Sequence, residues 1–164
     1  MSATTTTTNQ TRIEANPDLP TIAIIREFEA TPDRVYRAWT DPALVAKWLG
    51  PADTDIRIDA WDASTGGHYR YAATVGGEEI AAFYGSFHEL RPNERIVQTF
   101  TFEGVPDGVC LETMTFEDLG DGRTRVTGLS VVDTMQARDA MMASGMEVGV
   151  VQGYEQLDKL LAEG

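Results

Sequence analysis

The chain has 164 residues, of which 42% are hydrophobic and 24% are charged, and these values are typical of one globular domain with one core. Its 13 Lys and Arg against 26 Asp and Glu give a formal net charge of −13, which disfavours nucleic acid and anionic membranes as partners. A single cysteine, Cys110, excludes an intramolecular disulfide and a cysteine-based metal cluster, and it favours a reducing compartment.

Residues 1–20 are rich in threonine and have no hydrophobic periodicity, so we expect a flexible leader there and a single domain over residues 21–164. The leader lacks the basic start and apolar core of a signal peptide. No run approaches the ~18 apolar residues that cross a bilayer. We therefore expect a cytoplasmic protein that does not enter a membrane.

The first ordered run, residues 21–30, predicts a strand, and two short helices should follow it. The pairs Thr31-Pro32 and Asp41-Pro42 each place a capping residue before a proline at the first helical position.

Two tryptophans, Trp39 and Trp48, flank the second of these short helices. They are expected to plug one end of the core. The alternative is that Trp48 and Leu49 line the mouth of a cavity.

From residue 53 the hydrophobic period changes to two, which is typical of strands. Glycine-rich and Pro-Asn connections between the runs are short, so neighbouring strands should be antiparallel. The predicted strands are Thr54–Trp61, His68–Val75, Ile80–Leu90, Arg95–Phe102, Val109–Leu119 and Arg123–Val132.

Residues 134–163 return to helical periodicity, with Gly145 either interrupting the helix or marking its start. Gly145, Gly149 and Gly153 recur every four residues, at a cost of roughly 1 kcal/mol for each interior glycine. Two explanations remain open. Either a strand packs closely against this stripe, or a ligand lies along it.

The element order β-α-α-β6-α predicts an α+β protein, in which a seven-stranded antiparallel sheet curves around a long C-terminal helix. Four segments carry a resemblance to a known family: REFEATPDRVYRAWTDPALVAKWLGP (26–51), GSFHELRPNERIVQTFTFEG (85–104), TFEDLGDGRTRVT (115–127) and GMEVGVVQGYEQLDKLL (145–161). In them the chain resembles the START-like, or SRPBCC, superfamily, and within it the branch related to the C-terminal domain of the heat-shock-protein-90 ATPase activator. The resemblance implies a helix-grip fold with a cavity between the sheet and the C-terminal helix.

Strand and helix periodicity selects the residues that should face that cavity. The same residues would suit a solid hydrophobic core, and both alternatives stay open. The candidate ligand-binding residues are Trp48, Tyr69, Tyr71, Phe83, Phe87, Gln98, Phe100, Glu112, Met114, Phe116, Met146, Val150 and Tyr154.

Catalytic groups are scarce, and no residue is assigned a catalytic or metal-binding role. His68 and His88 have the parity of the outer face, and Cys110 has no evident base beside it. Glu112, a carboxylate expected on the core face, needs a partner, an opening or a function. If acid–base chemistry occurs, Glu112 with Gln98, Tyr69 or Tyr71 is the candidate group.

The resemblance implies that the protein binds or carries a small apolar or aromatic molecule, without a cofactor. An enzyme of the polyketide cyclase/aromatase or hydrolase type is the alternative. Because the eukaryotic activators carry a further N-terminal domain, for which this length leaves no room, we do not expect a chaperone partner. A homodimer is compatible with this branch, through the outer sheet face or the expected edge strand Thr21–Phe28.

Overall fold

A computed structural model of the chain describes residues 9–163; residues 1–8 of the expected leader lie outside the described part. The elements in chain order are β1 (Arg12–Ala15), β2 (Thr21–Phe28), α1 (Pro32–Thr40), α2 (Pro42–Trp48), β3 (Asp55–Trp61), β4 (His68–Val75), β5 (Glu78–Arg91), β6 (Arg95–Phe102), β7 (Cys110–Gly120), β8 (Arg123–Val131), α3 (Met135–Ala143) and α4 (Met146–Ala162).

The strands form one antiparallel sheet of eight strands in the order β1-β2-β8-β7-β6-β5-β4-β3. The predicted α+β class is confirmed, and the six strands of the predicted meander lie within two residues of their expected bounds. Register shifts interrupt several pairs, for example between Ile58 and Ala60 and between Phe87 and Glu89. Bulges of this kind bend a strand and increase its twist, and they help the sheet to curve.

The sheet has one strand more than the seven we expected. Arg12–Ala15, within the expected leader, forms β1 and pairs with β2, where Ile13 lies opposite Ile24. Strand β2 is therefore not the exposed edge that we expected; the edges are β1 and β3. Four residues are too few to show a clear period of their own, and the free backbone groups of β2 supply the pairing.

Both short helices begin where the prolines predict. Asp41 caps α2, since its side-chain oxygen accepts a hydrogen bond of 3.0 Å from the Ala43 amide. Thr31 stands at the cap position of α1, but its side chain makes no capping bond.

The predicted C-terminal helix is two helices that meet at Gly145. This glycine has φ +85°, in the left-handed region that glycine adopts without strain. Gly145 is the N-cap of α4 after the shorter helix α3, so the second of the two sequence interpretations, in which Gly145 marks the start of the helix, is the correct one. Helix α3 starts at a side-chain cap, where Thr134 accepts a hydrogen bond of 3.0 Å from the Ala137 amide.

Helix α4 packs on one side of the sheet, called the inner face here, together with α1 and α2. Its Tyr154, Leu157 and Leu161 are buried in one hydrophobic cluster with residues of the inner face. Arg26 of β2, 3% exposed, forms a two-pronged ion pair with Asp158 of α4 and ties the helix to the sheet.

Candidate functional site

Five residues form a row across the inner face, and the three at its centre are polar. The strand register places Phe87, Gln98, Glu112, Ser130 and Ile22 opposite one another across five neighbouring strands. Polar side chains at the centre of such a row are unusual on a face that packs against helices, because burying them costs free energy unless they are paired.

Gln98 is the centre of a hydrogen-bonded chain that joins Glu112 to Tyr69. The Gln98 amide nitrogen donates to Glu112 Oε1 at 2.9 Å and approaches the Tyr69 hydroxyl at 3.4 Å. Tyr69 in turn donates to the Thr99 carbonyl oxygen at 2.6 Å. The sequence grouped Glu112 with Gln98 and Tyr69, and the structure brings these three residues together.

Protein surrounds Glu112, yet part of its side chain remains accessible. Within residues 9–163, the fully buried side-chain nitrogen and oxygen atoms without a hydrogen-bond partner belong to Arg26 and Arg95. The second carboxyl oxygen of Glu112 also lacks a partner, so it must border accessible space. Burial raises the pKa of Glu112, and the hydrogen bond from Gln98 opposes that rise only in part.

Two phenol hydroxyl groups, one on the inner face of the sheet and one on α4, also have unused hydrogen-bonding capacity. In the described part of the chain, the hydroxyls of Tyr71 and Tyr154 have no hydrogen-bond partner and are not fully buried. Burial, and secondarily the charge of Glu112, raise the pKa of both hydroxyls, so both stay protonated at neutral pH. Tyr71 and Tyr154 belong to the same buried cluster as Tyr69, which Gln98 connects to Glu112, so the three groups offer polar atoms to one interior region.

Cys110 and Ser130 also belong to this polar region, and sequence reasoning did not include them among the site residues. Ser130 lies opposite Glu112 across the β7–β8 pair, and the Cys110 thiol donates to the Leu111 carbonyl oxygen at 3.9 Å. Burial, as the main cause, raises the pKa of Cys110 to about 12, so the thiol is not an activated nucleophile. Ser130 could have been found from its parity, which it shares with the buried Val126.

Aromatic rings form the next part of the inner face. Tyr71 lies between Tyr69, at 6.1 Å, and Phe83, at 5.1 Å, with nearly parallel rings. Phe83 continues the stack to Phe100 at 5.3 Å and 21°. Phe83 and Phe100 remain half-buried although their strands place them on the inner face. A closed core would bury such rings completely, so this end of the inner face is incompletely filled.

Gly128 leaves one position of β8 on the inner face without a side chain. It lies opposite Met114 on β7 and Ile24 on β2. A Cβ built there would come no closer than 3.8 Å to Ile24 and 4.0 Å to Met114. The position thus has room for a side chain that the sequence does not supply. A glycine inside a predicted strand is the signal in the sequence that marks this position.

The other predicted site residues divide between core and helix surface. Phe87, Met114 and Phe116 are buried in the hydrophobic cluster, whereas Met146 and Val150 are half-buried at the N-terminal end of α4. Of these two, Val150 packs against the cluster.

Trp48 is buried and has a structural role at the end of α1. Its indole Nε1 donates to the Ala38 carbonyl oxygen at 2.9 Å. That carbonyl would ordinarily accept from the residue four positions later, which is Pro42 and has no N–H. The indole nitrogen of Trp61 likewise donates a hydrogen bond to the Thr40 carbonyl oxygen, at 2.8 Å. The expectation that Trp48 anchors the core therefore describes its position better than a place at the cavity mouth.

The glycine stripe of α4 faces α2 rather than a strand. A Cβ at Gly153 would lie 3.1 Å from the Trp48 carbonyl oxygen, and one at Gly149 would lie 3.7 Å from the Pro51 ring. Gln156 strengthens the contact by donating to the Gly50 carbonyl oxygen at 3.0 Å. Close packing is the correct explanation of the stripe, although its partner is the end of α2 and the turn after it.

A concavity of about 260 Å³ lies between α1, α2 and the C-terminal end of α4. Its arginines already have protein partners: Arg34 donates to the Leu161 carbonyl oxygen at 2.6 Å, and Arg37 lies 3.7 Å from the Asp41 carboxylate. It is lined by Arg34, Arg37, Ala38, Leu44, Leu160, Leu161 and Glu163.

The histidine, cysteine and acidic side chains of residues 9–163 do not form a metal-binding group. His68 and His88 are exposed, on the side opposite the aromatic face. No group of three or more His, Cys, Asp or Glu side chains in this range could hold a metal ion. None of the helices in the same range is long and apolar enough to span a bilayer.

Solved structures of bacterial proteins share this fold. A Chromobacterium violaceum protein is 32% identical, with a TM-score of 0.74 over 86% of this chain and 96% of its own. An Arthrobacter aurescens protein is 26% identical, with a TM-score of 0.83 over 93% of this chain and 92% of its own. A Rhodobacter sphaeroides protein, 24% identical, has a TM-score of 0.85 over 94% of this chain and all of its own.

The family comparison covers most of the chain. No curated protein matches this sequence. The family model described as activator of Hsp90 ATPase homolog 1-like protein matches residues 29–162. With the helix-grip fold confirmed by the solved structures, the chain belongs to the activator of Hsp90 ATPase homolog 1-like family.

Proposed function

We propose that the protein binds or carries a small hydrophobic or aromatic molecule between the inner face of the sheet and α4. The observation that carries the proposal is the unpartnered, accessible carboxyl oxygen of Glu112 in an interior surrounded by protein. Such an atom must border space, and the space beside it is bounded by side chains that favour apolar contact.

The walls of that space suit an apolar molecule. Phe83 and Phe100 keep accessible surface on the inner face, Met114 supplies an adaptable side chain, and Gly128 leaves room above the floor. Transfer of a ligand into contact with these groups would remove apolar surface from water at roughly 25 cal/mol per Å².

Filling the space tests the proposal. Gly128→Leu places a side chain on the inner face, whereas Thr127→Leu, the matched control, adds one on the outer face. Equilibrium dialysis with ethylbenzene should give binding by the wild type and Thr127→Leu, and at least about a tenfold loss with Gly128→Leu. Equal binding by all three proteins, with thermal unfolding showing that each is folded, would contradict the proposal.

A catalytic function is the second candidate, and the hydrogen-bonded chain of Glu112, Gln98 and Tyr69 favours it. A carboxyl group with a raised pKa is a suitable general acid. The cyclase/aromatase or hydrolase alternative predicts that a bound aryl ester or polyketide-like molecule changes during incubation, as mass spectrometry would detect. If the wild type changes the molecule no faster than Glu112→Gln does, Glu112 is not catalytic, and carrying a ligand remains the proposed function.

Location and self-association form a further part of the proposal. The single buried Cys110 fits a reducing compartment, and we propose that the protein is cytoplasmic.

A homodimer would use the outer face, where Leu111 and Leu129 are 44% and 41% exposed. Sedimentation of the wild type and of Leu129→Glu tests this: a dimer that the variant abolishes is the expected result, and a wild-type monomer at high concentration would contradict it.

A further inference from the structure

The polar atoms of the cavity allow the class of ligand to be narrowed, on the basis of the proposed function. Glu112, Tyr71 and Tyr154 each present an oxygen without a protein partner. The Gln98 amide joins Glu112 to Tyr69, the Tyr71 ring lies 6.1 Å from the Tyr69 ring, and Tyr154 belongs to the same buried cluster as both tyrosines. A ligand that filled the space with hydrocarbon alone would leave all three unpaired, and unpaired buried polar groups cost free energy.

The aromatic rings do not favour a cation. A cation is attracted to the face of a ring, where the quadrupole is negative, whereas ring edges are positive. Phe83 has a nearly parallel ring on each neighbouring strand, Tyr71 at 5.1 Å and Phe100 at 5.3 Å, so its faces point at other rings and are little available to a cation. This arrangement suits an uncharged molecule or the electron-rich oxygen of one.

An anion is disfavoured for a different reason. Arg26, a buried cation of β2, is already paired with Asp158 of α4 and lies over the Phe28 ring at 4.7 Å, and its unpartnered nitrogen, Nε, is fully buried and out of a ligand's reach. A carboxylate ligand would therefore meet the carboxyl group of Glu112 without a free positive partner.

We propose that the ligand is an uncharged aromatic or apolar molecule with one hydrogen-bond-accepting oxygen, such as an aryl ketone, and that this oxygen is held at Glu112 between Tyr71 and Tyr154. The phenols are donors, and the carboxyl group becomes one when it carries a proton. A site built to donate to an oxygen discriminates against an analogue that lacks it, since its own polar groups then remain unpaired.

Four probes of similar size test this inference: acetophenone, ethylbenzene, benzoate and benzylamine, each by equilibrium dialysis at neutral pH. Acetophenone should bind about fivefold more tightly than ethylbenzene, the effect of about one net hydrogen bond. Both charged probes should bind more weakly than ethylbenzene. Equal binding of acetophenone and ethylbenzene, or tightest binding by benzylamine or benzoate, would overturn the inference while leaving a ligand cavity in place. Absence of binding by all four would remove the proposed function and the inference together.

Variants identify the group responsible. Glu112→Met should abolish the preference for acetophenone but keep ethylbenzene binding, whereas Glu112→Gln keeps a donor and should retain the preference. Tyr71→Phe should weaken the preference, and Tyr84→Phe, at an exposed position on the same sheet, should leave it unchanged. Thermal unfolding confirms that each variant is folded. A preference that survives both Glu112→Met and Tyr71→Phe would overturn the assignment.

Discussion

Replacement of Gly149 by alanine should stabilise the protein, whereas the same replacement at Gly153, one helical turn later, should not. Both glycines lie within α4, so each alanine gains the same intrinsic helix propensity of about 1 kcal/mol. The two positions differ in what the new methyl group meets.

At Gly149 the methyl group would lie 3.7 Å from the Pro51 ring, an ordinary van der Waals distance. At Gly153 it would lie 3.1 Å from the Trp48 carbonyl oxygen and 3.6 Å from the Gly50 backbone. Backbone atoms cannot swing aside like a flexible side chain, and overpacking of this kind costs about 1–3 kcal/mol. We therefore expect Gly149→Ala to gain about 1 kcal/mol and Gly153→Ala to lose up to about 2 kcal/mol.

The assay is urea unfolding followed by tryptophan fluorescence, with acetophenone binding measured on the same samples. The free energies of unfolding should separate the two variants, while their affinity for acetophenone should match the wild type, since the stripe faces α2. Equal stabilisation by both alanines would refute the close contact at Gly153. A loss of binding in the stable Gly149→Ala variant would instead indicate that the ligand lies along the stripe.

Three further predictions concern buried polar groups. Burial raises the pKa of Glu112 in the folded protein above its ordinary value of 4.5. Above pH 4.5 the folded protein therefore binds more protons at this group than the unfolded chain does. The free energy of unfolding of the wild type consequently falls as pH rises through this range. Glu112→Gln should therefore gain stability relative to the wild type between that pH and neutrality, as urea unfolding at several pH values would measure. Asp158→Asn should cost about 2 kcal/mol in urea unfolding, because Arg26 keeps a buried charge, although the partial exposure of Asp158 reduces the loss. Trp48→Phe should cost about 1–3 kcal/mol by thermal unfolding, since it leaves the Ala38 carbonyl buried without a donor.

Each of these predictions has a result that would contradict it. A stability difference between Glu112→Gln and the wild type that stays constant with pH would mean that burial does not perturb this carboxyl group. Asp158→Asn as stable as the control Asp53→Asn, whose exposed aspartate forms no ion pair within residues 9–163, would mean that the ion pair contributes nothing. A neutral Trp48→Phe would mean that water reaches the Ala38 carbonyl oxygen.

The fold was largely predictable because its signals are local. Thr31-Pro32 and Asp41-Pro42 mark helix starts through backbone restrictions of proline that hold in any context. Glycine pairs such as Gly76-Gly77, both with positive φ, mark a hairpin turn for the same reason. Strand β1 was missed because its order depends on the free edge of β2, a property of the sheet rather than of four residues.

The candidate site was predictable only in part. Parity placed Glu112 on the inner face and grouped it with Gln98 and Tyr69, because period two is a reliable consequence of strand geometry. Parity does not reveal which inner-face residues border space. The half-buried state of Phe83, the unpartnered hydroxyl of Tyr154 and the room above Gly128 depend on how the helices lie over the sheet, which strand parity does not contain.

The most direct test of a ligand site on the inner face is the measurement of intermolecular NOEs between acetophenone and the labelled protein. We predict NOEs to Met114, Phe83 and Phe100, all on the inner face. NOEs only to exposed outer-face residues such as Leu111 and Leu129, or none at a concentration that shifts other resonances, would contradict an open cavity and indicate that the aromatic face is a filled core.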